Sequence, residues 1–170
     1  MSDLTTLTIR FHPLHDDVAV PRRATEGSAG YDLAAYLRGG EARVATAGGV
    51  TPRPAAVSDG EWRVTLEPGE RALIPLGFKA QLPSGFEAQV RPRSGTSFRK
   101  GLEIPNAPGT IDADFPDEWM VIVRNGTDAP MHITHGERIA QVVFARYAVL
   151  EWERAEVAVS TDRVGGFGST

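Results

Sequence analysis

The stretch from Glu67 to Arg93, EPGERALIPLGFKAQLPSGFEAQVRPR, indicates the fold most clearly. Its apolar and aromatic residues form two short runs, and a turn signal precedes each run, EPGE for the first and LPSG for the second. Branched and aromatic residues favour strands, whereas Pro and Gly interrupt them. The stretch therefore predicts two β-strands joined by a tight turn.

The same pattern continues on both sides of this stretch. Further strands are predicted over LTIRF, WRVTL, GTIDADF, EWMVIVRNG and RIAQVVFARYAVL, with turn signals at NAPG and RNGTD. AGYDLAAYL is predicted to begin as a strand or a short helix, and TSFRKGLEI to hold one helical turn. Short strands at regular spacing are typical of an all-β sandwich or barrel. Residues 38–60 are small, polar and rich in Pro and Gly, which predicts a mobile surface loop.

The composition of the chain restricts the functions to consider. With 170 residues, 41% hydrophobic and 24% charged, a single globular domain is expected. A net charge of −4 disfavours a non-specific nucleic-acid binder, and no apolar run is long enough to span a membrane. Without cysteine, and with four histidines that lack metal-ligand spacing, no disulfide or dedicated metal site is expected. Because the N-terminal residues also lack the layout of a secretory signal, we expect a cytoplasmic protein.

The stretch QVRPRSGTSFRKGL carries a candidate phosphate site. A predicted strand delivers Arg91 and Arg93 to a turn through Ser94 and Gly95. Gly allows backbone N–H groups to face an anion, a Ser hydroxyl adds a donor, and Arg presents paired donors to phosphate oxygens. An ordinary turn with surface arginines explains the same residues, and this stretch alone leaves both interpretations open.

Two carboxylates form a second candidate site. Asp112 and Asp114 occupy alternate positions of the predicted strand GTIDADF and are therefore expected on one face. With Ile111 and Phe115 around them, one could lie in a partly dry cleft and act as a general base toward water or bind a metal. A solvated acid pair on an edge strand is the alternative.

Two further stretches each allow two interpretations. Asp32 in AGYDLAAY lies among apolar neighbours, and a buried acid needs a partner, which Arg138 or Gln141 could supply. That contact would be structural or catalytic. The stretch RVGGFGST, residues 163–170, is either a frayed terminus or a mobile arm whose aromatic ring and cation contact a ligand.

Five of these stretches, in this order, resemble the five motifs of the trimeric dUTPases: AGYDLAA, RPRSGTSFRKGL, GTIDADF, GERIAQVVF and RVGGFGST. The resemblance begins at about Ala29, ends at Thr170 and covers most of the chain outside residues 38–60. It implies a distorted antiparallel β-barrel of jelly-roll type, assembled as a homotrimer with active sites at subunit interfaces. It also implies a dUTPase-like barrel over residues 1–162 and a glycine-rich, flexible C-terminal arm over residues 163–170 that closes over the active site.

The resemblance implies hydrolysis of dUTP to dUMP and pyrophosphate with Mg²⁺ as cofactor, which limits uracil incorporation into DNA and supplies dUMP for dTTP synthesis. Asp112 matches the catalytic carboxylate that activates the water attacking the α-phosphorus, and Asp32 matches an acid that supports the water shell of the metal. The substrate-binding positions are matched by Arg93, Ser94, Gly95 and Gln141 at the phosphates, Asn106, Gly109, Thr110, Ile111 and Met120 at uracil, Phe115 at deoxyribose, Arg163 at the terminal phosphate and Phe167 stacked on uracil.

Four features depart from the family pattern. Phe115 stands where Tyr is usual, and PDEW follows it where an Arg-Gly pair is common. Thr96 and Ser97 replace the usual small apolar pair after the phosphate turn, and the arm is one residue shorter between Arg163 and the glycine pair. A related dCTP deaminase and a non-catalytic nucleotide-binding regulator are the alternative hypotheses. The glycine-rich arm and the carboxylate of GTIDADF favour the dUTPase interpretation.

Overall fold

The computed structural model describes residues 6–158, which form an almost entirely β structure. The strands are β1 (Arg10–Pro13), β2 (Tyr31–Ala34), β3 (Glu41–Thr46), β4 (Gly49–Pro54), β5 (Ala56–Ser58), β6 (Glu61–Leu66), β7 (Arg71–Pro75), β8 (Phe78–Gln81), β9 (Phe86–Arg91), β10 (Leu102–Glu103), β11 (Gly109–Ile111), β12 (Met120–Asn125), β13 (Met131–Thr134) and β14 (Arg138–Arg146), and the helix is α1 (Ser94–Lys100). The all-β prediction is confirmed, and α1 is the predicted helical turn. Across residues 6–158, no helix has the length and apolar character needed to cross a membrane.

The strands form four antiparallel sheets. The two largest have the strand orders β10-β12-β7-β3-β4 and β11-β9-β14-β2, and the smaller ones are β13-β6-β5 and β1-β8. β9 pairs with β11 on one side and with β14 on the other, so it connects the two parts of the candidate site. The run RALIPLGFKAQL, predicted as one strand, is divided into β7 and β8 by Leu76 and Gly77.

One continuous core connects these sheets through alternate strand residues. In β12, Val121 and Val123 are buried whereas Ile122 and Arg124 are exposed, which is the period expected of a sheet with one face in the core. Burying a Val or Leu side chain stabilises the fold by about 1.5–3 kcal/mol. The other strands contribute buried residues such as Leu33, Val44, Leu66, Ile74, Val90, Ile133 and Val142.

The prediction of a loop over residues 38–60 is wrong. The segment contains β3, β4 and β5, and β3 pairs with β7 of the main sheet. Ala42 and Val44 of β3 are fully buried. Arg53 of β4 forms a bidentate ion pair with Glu70, with an Nη2–Oε1 distance of 2.8 Å. These hydrogen bonds from Arg53 lower the pKa of Glu70 and attach the hairpin to the turn before β7.

A cluster of polar side chains joins the N-terminal segment to the residues after β2. The Tyr36 hydroxyl donates to the Asp17 carboxylate at 3.1 Å. His135 Nδ1 accepts the N–H of Leu37 at 3.1 Å, so this nitrogen carries no proton. Burial and the charge of Arg38 lower the pKa of His135, and the opposing effect of Asp17 is smaller.

We expect the folded state to lose stability as the pH falls below about 6.5, the pKa of an unfolded histidine. Because the pKa of His135 is lower in the folded state, the unfolded chain binds this proton more readily. The stabilisation is complete above the unfolded pKa and is lost as the pH falls toward the folded pKa. Urea unfolding at about pH 8 and about pH 5.5 measures the loss. The loss should be smaller in His135→Gln, and an equal loss would show that His135 is not its source.

Candidate active site

A cleft of about 710 Å³ opens beside β11 and the segment that follows it. Strands β3, β7, β9 and β12 contribute the other walls. Seven of the residues that the sequence predicted for a substrate site line it: Asn106, Gly109, Thr110, Ile111, Asp112, Phe115 and Met120. The structure thus brings the residues predicted for the base, the sugar and catalysis into one cavity.

One wall of this cleft is formed by the antiparallel pair of β9 and β11. Gly109 pairs with Val90, and Ile111 pairs with Ala88. Because β11 is the outer strand of its sheet, its outward N–H and C=O groups have no strand partner within residues 6–158. A Cβ on Gly109 would lie 2.8 Å from Asn106 Nδ2, so glycine makes room for that amide. The edge of β11 therefore offers backbone donors and acceptors to a ligand, and the Asn106 amide lies beside them.

Asp112 lies just beyond β11, which ends at Ile111. The Asp112 carbonyl accepts the N–H of Phe115 at 3.2 Å, so residues 112–115 form a turn. The Asp112 carboxylate is exposed in the cleft and has no hydrogen bond or ion pair within the described part of the chain. A carboxylate without a protein partner is available to orient and deprotonate a water molecule.

The prediction that Asp112 and Asp114 share one face of a strand is wrong. The strand stops before both residues, and Asp114 lines a second cleft together with Arg10 and His12. Phe115 lines both clefts. Of the two acids, Asp112 is therefore the one that lines the cleft beside β11.

The predicted phosphate-binding residues lie around the start of α1 and do not line the 710 Å³ cleft. Ser94 and Gly95 are the first residues of α1, and Arg93 precedes them. Arg93 Nε donates to Asp32 Oδ1 at 2.7 Å, and Arg138 Nη1 donates to Asp32 Oδ2 at 3.0 Å. Arg138 is thus confirmed as a partner of Asp32. Arg93, the second partner, was not predicted from the sequence.

Both carboxylate oxygens of Asp32 are occupied by arginine donors. An acid held in this way fits a role in orienting Arg93 better than a place in the water shell of a metal. Within residues 6–158, no three His, Cys, Asp or Glu side chains are arranged to hold a metal ion. A Mg²⁺ ion carried by the phosphates of a ligand is the binding mode that this donor set fits.

Gln141 is held beside these residues by β14. In the sheet it lies opposite both Asp32 and Arg91, and its Nε2 donates to the Pro92 carbonyl at 2.8 Å. A Cβ on Gly30 would lie 2.1 Å from Gln141 Oε1. Gly30 therefore provides the space in which the Gln141 amide lies.

Gly30→Ala should displace Gln141 and weaken phosphate binding. Because the clash is with the end of a flexible side chain, we expect little change in the thermal melt. The KM for dUTP, the substrate that the resemblance implies, should rise by about 10-fold. Gly27→Ala is the matched control, since a Cβ at Gly27 meets nothing within 4 Å. Initial rates and melts of both variants test this, and an unaltered KM in Gly30→Ala would contradict it.

The predicted site and the observed cleft differ in several residues. Arg163 and Phe167, predicted to contact the terminal phosphate and uracil, lie beyond the residues that the structure describes. Arg43, Lys79 and Glu118 line the cleft and were not predicted. Glu118 belongs to PDEW, whose departure from the family pattern indicated that this stretch could differ in the site. Arg43 lies in the segment that was predicted as a loop, and Lys79 lies in a predicted strand, so no feature of the sequence pointed to either of them.

The chain is similar in sequence to a known protein family and to named proteins. The family model described as dUTPase matches residues 61–170. The deoxyuridine 5'-triphosphate nucleotidohydrolase of Roseobacter denitrificans is 40% identical over 154 residues, which cover 90% of this chain and 87% of that protein. The protein of the same name from Rhizobium rhizogenes is 47% identical over 142 residues, which cover 83% of this chain and 86% of that protein.

Solved structures show the same β fold. A variant dUTPase of Staphylococcus bacteriophage 80alpha, in complex with dUpNHpp, has a TM-score of 0.74 at 25% identity, covering 97% of this chain and 99% of its own. The dUTPase of Streptococcus mutans has a TM-score of 0.64 at 24% identity, covering 84% and 98%. Since the family model matches more than half of the chain and both curated relatives match most of it, the chain belongs to the dUTPase family.

Proposed function

We propose that this chain hydrolyses dUTP to dUMP and pyrophosphate, the activity that the names of its relatives describe for those proteins. The reaction would limit uracil incorporation into DNA and supply dUMP for dTTP synthesis, and the composition supports a cytoplasmic location. The observation that carries the proposal is the cleft where the edge of β11, Phe115 and the Asp112 carboxylate meet. Such a cleft suits a planar base with a sugar and an anionic group beyond it.

The free edge of β11 is proposed to recognise uracil. Its outward backbone groups would pair with the ring N–H and the carbonyl oxygens of the base, and the Asn106 amide adds one donor and one acceptor. Cytosine presents an amine where uracil has a carbonyl, which would leave buried groups unpaired. The same edge of β11 would exclude the methyl group of thymine.

Asp112 is proposed as the general base. Its carboxylate takes a proton from a water, whose oxygen bonds to the α-phosphorus while the bond to the bridging oxygen breaks. Pyrophosphate leaves with the electron pair of that bond. General-base assistance of this kind contributes about 10²–10⁴-fold to a rate. Mg²⁺ bound to the triphosphate would neutralise charge on its oxygens.

Arg93, Ser94, Gly95 and Gln141 are proposed to bind the phosphates. Asp32 orients Arg93 through its Nε, and Arg93 Nη2 makes no hydrogen bond within residues 6–158, so it is available to a phosphate oxygen. These residues lie apart from the cleft of Asp112 in the same chain. That separation supports a site assembled from more than one chain.

We further propose a homotrimer with its active sites at the subunit interfaces. The segment after β14 supports an assembly, because in a single chain it exposes several large apolar side chains: Tyr147, Val149, Leu150, Trp152 and Val157. Asp112→Asn and Arg93→Gln subunits, each inactive alone, should recover activity when they are unfolded and refolded together. Absence of recovery in a correctly assembled mixture would contradict shared sites.

Residues 163–170 are proposed to act as the closing arm of the site. Phe167 would stack on uracil, and Arg163 would approach the terminal phosphate. Closure of this kind excludes water and completes a site only when substrate is bound.

The experiment that tests the function is pyrophosphate release in Mg²⁺ from dUTP, dCTP, dTTP and UTP in parallel, with ammonia followed in the dCTP sample. Release from dUTP alone is the expected result. Ammonia from dCTP would identify a deaminase instead. Binding of dUTP without release from any substrate would identify a nucleotide-binding regulator.

A further inference from the structure

The segment directly after the Phe115 turn is bound to the link between β7 and β8. Lys79 Nζ donates to the Pro116 carbonyl at 3.2 Å and lies 3.7 Å from Asp117 Oδ1. The N–H of Gly77 donates to Glu118 Oε1 at 2.7 Å. We call residues 116–119, with residues 76–79 that hold them, the clamp.

Trp119 attaches the clamp to the core. The backbone N–H of Trp119 donates to the Phe78 carbonyl at 2.9 Å, and the Trp119 carbonyl accepts the N–H of Leu76 at 3.1 Å. The Trp119 side chain is buried, with its ring centroid 5.5 Å from that of Phe78. The chain downstream of the 112–115 turn is therefore fixed at four successive residues.

Gly77 lies in closely packed backbone where only glycine fits. Its φ is +76°, and a Cβ there would lie 2.8 Å from both Tyr36 Cγ and Val18 Cγ2. The Glu118 carboxylate therefore accepts a charge-assisted hydrogen bond from a fixed point of the backbone. The bond sets where the chain leaves the Phe115 turn.

We propose that Glu118 and Lys79 are positioning residues for Phe115 and thereby set the selectivity for deoxyribose over ribose, an inference that rests on the proposed function. Phe115 is 41% exposed, so packing within residues 6–158 holds its side chain weakly. It also lacks the hydroxyl of the usual Tyr, so no hydrogen bond can fix the ring. The backbone must fix it instead, through β11 on one side and the clamp on the other.

The position of the Phe115 ring matters because, in the proposed site, only contact with this ring would exclude the 2′-hydroxyl of a ribose. The ring face must stay at van der Waals distance from the sugar, and a displacement of about 1 Å is enough to change a rate by about 100-fold. The same turn carries Asp112, whose carbonyl accepts the N–H of Phe115. PDEW, the departure from the family pattern, thus takes over the placement of the sugar-facing ring.

A direct contact between these side chains and the ligand predicts a different result. Glu118 and Lys79 line the cleft, and a side chain that only touched the base or the phosphates would affect dUTP and UTP equally. A positioning residue changes the ratio between the two substrates. Stability is a poor measure of the Lys79–Asp117 pair, because the two side chains are 43% and 76% exposed and such pairs stabilise little.

The test is kcat and KM for dUTP and UTP, with thermal melts, in the full-length protein. In Glu118→Ala, the ratio of kcat/KM for dUTP to that for UTP should fall by about 10-fold or more. Glu118→Gln keeps an acceptor for Gly77 and should restore most of the ratio. Arg124→Gln is the matched control, because it breaks an exposed ion pair, 3.4 Å between Arg124 of β12 and Glu103 of β10, that involves no clamp residue.

A folded Glu118→Ala variant with the wild-type ratio would overturn the proposal. If that variant does not fold, Lys79→Gln decides, since the same loss of ratio is expected there and an unchanged ratio overturns the proposal. Wild-type protein that releases no pyrophosphate from dUTP would refute the proposed function itself. An active wild type with clamp variants of unchanged ratio would refute this inference alone.

Discussion

Asp112→Asn should abolish turnover and leave nucleotide binding intact. Asparagine has nearly the shape of aspartate but cannot take the proton of the attacking water, so we expect a loss of about 10²–10⁴-fold or more in kcat. The Asp112 carboxylate has no protein partner within residues 6–158, so the change leaves no donor or charge unpaired. The melt should therefore be unchanged. Pyrophosphate release measures turnover, and calorimetry with a non-hydrolysable dUTP analogue measures binding.

Asp114→Asn is the matched control for this prediction. Asp114 is equally exposed on the same turn but lines the second cleft. Its substitution should leave kcat close to that of the wild type. Normal turnover in Asp112→Asn would remove Asp112 from the mechanism, and equal losses in both variants would point to the turn rather than to one carboxylate.

Deletion of residues 163–170 should reduce kcat/KM for dUTP by about 100-fold or more while the melt and the assembly stay nearly unchanged. The proposed contacts of Phe167 with uracil and Arg163 with the terminal phosphate form only with substrate present. Their loss should therefore affect catalysis without destabilising the unliganded protein. The measurement is steady-state kinetics with a thermal melt and a molar-mass determination of the same sample.

A shorter deletion provides the control for the arm. Removing residues 169–170 keeps both Arg163 and Phe167 and should leave activity near the wild-type value. A collapse of the melt in the longer deletion would show that the tail is part of the fold. Activity that survives the longer deletion would exclude the arm from the reaction.

The strands that could be predicted are those whose own residues alternate in burial. In EWMVIVRNG, Val121 and Val123 point into the core and Ile122 points out, so the sequence carries the period of the sheet. In the hairpin over residues 41–54 this signal is confined to β3, where Ala42 and Val44 are buried and Glu41 and Arg43 are exposed, and Gly and Pro residues surround it. The hairpin buries the small residue Ala42 as fully as Val44, and its place depends on pairing with β7, almost 30 residues away in the sequence. Long-range pairing of this kind cannot be read from local composition.

The site shows the same division. Gly109, Thr110 and Ile111 are neighbours in the sequence, so a resemblance over one short motif was enough to predict them together. The contact between Arg93 and Asp32 joins positions 61 residues apart, and it became visible only with the fold. The separation of Asp112 from Asp114 depends on where β11 ends, and strand ends are set by the hydrogen bonds that a neighbouring strand supplies.

β4 forms one open edge of the five-stranded sheet, and its sequence determines what that edge can do. Pro52 and Pro54 lie two residues apart, opposite Arg43 and Glu41, and neither has an N–H group. Residues two apart in a strand direct their backbone groups to the same side, so this edge lacks consecutive donors for an incoming strand. Val50 is 66% exposed on the same strand, and such a side chain beside an intact edge would favour aggregation. The two prolines therefore protect the protein from growing into fibrils at high concentration through this hairpin.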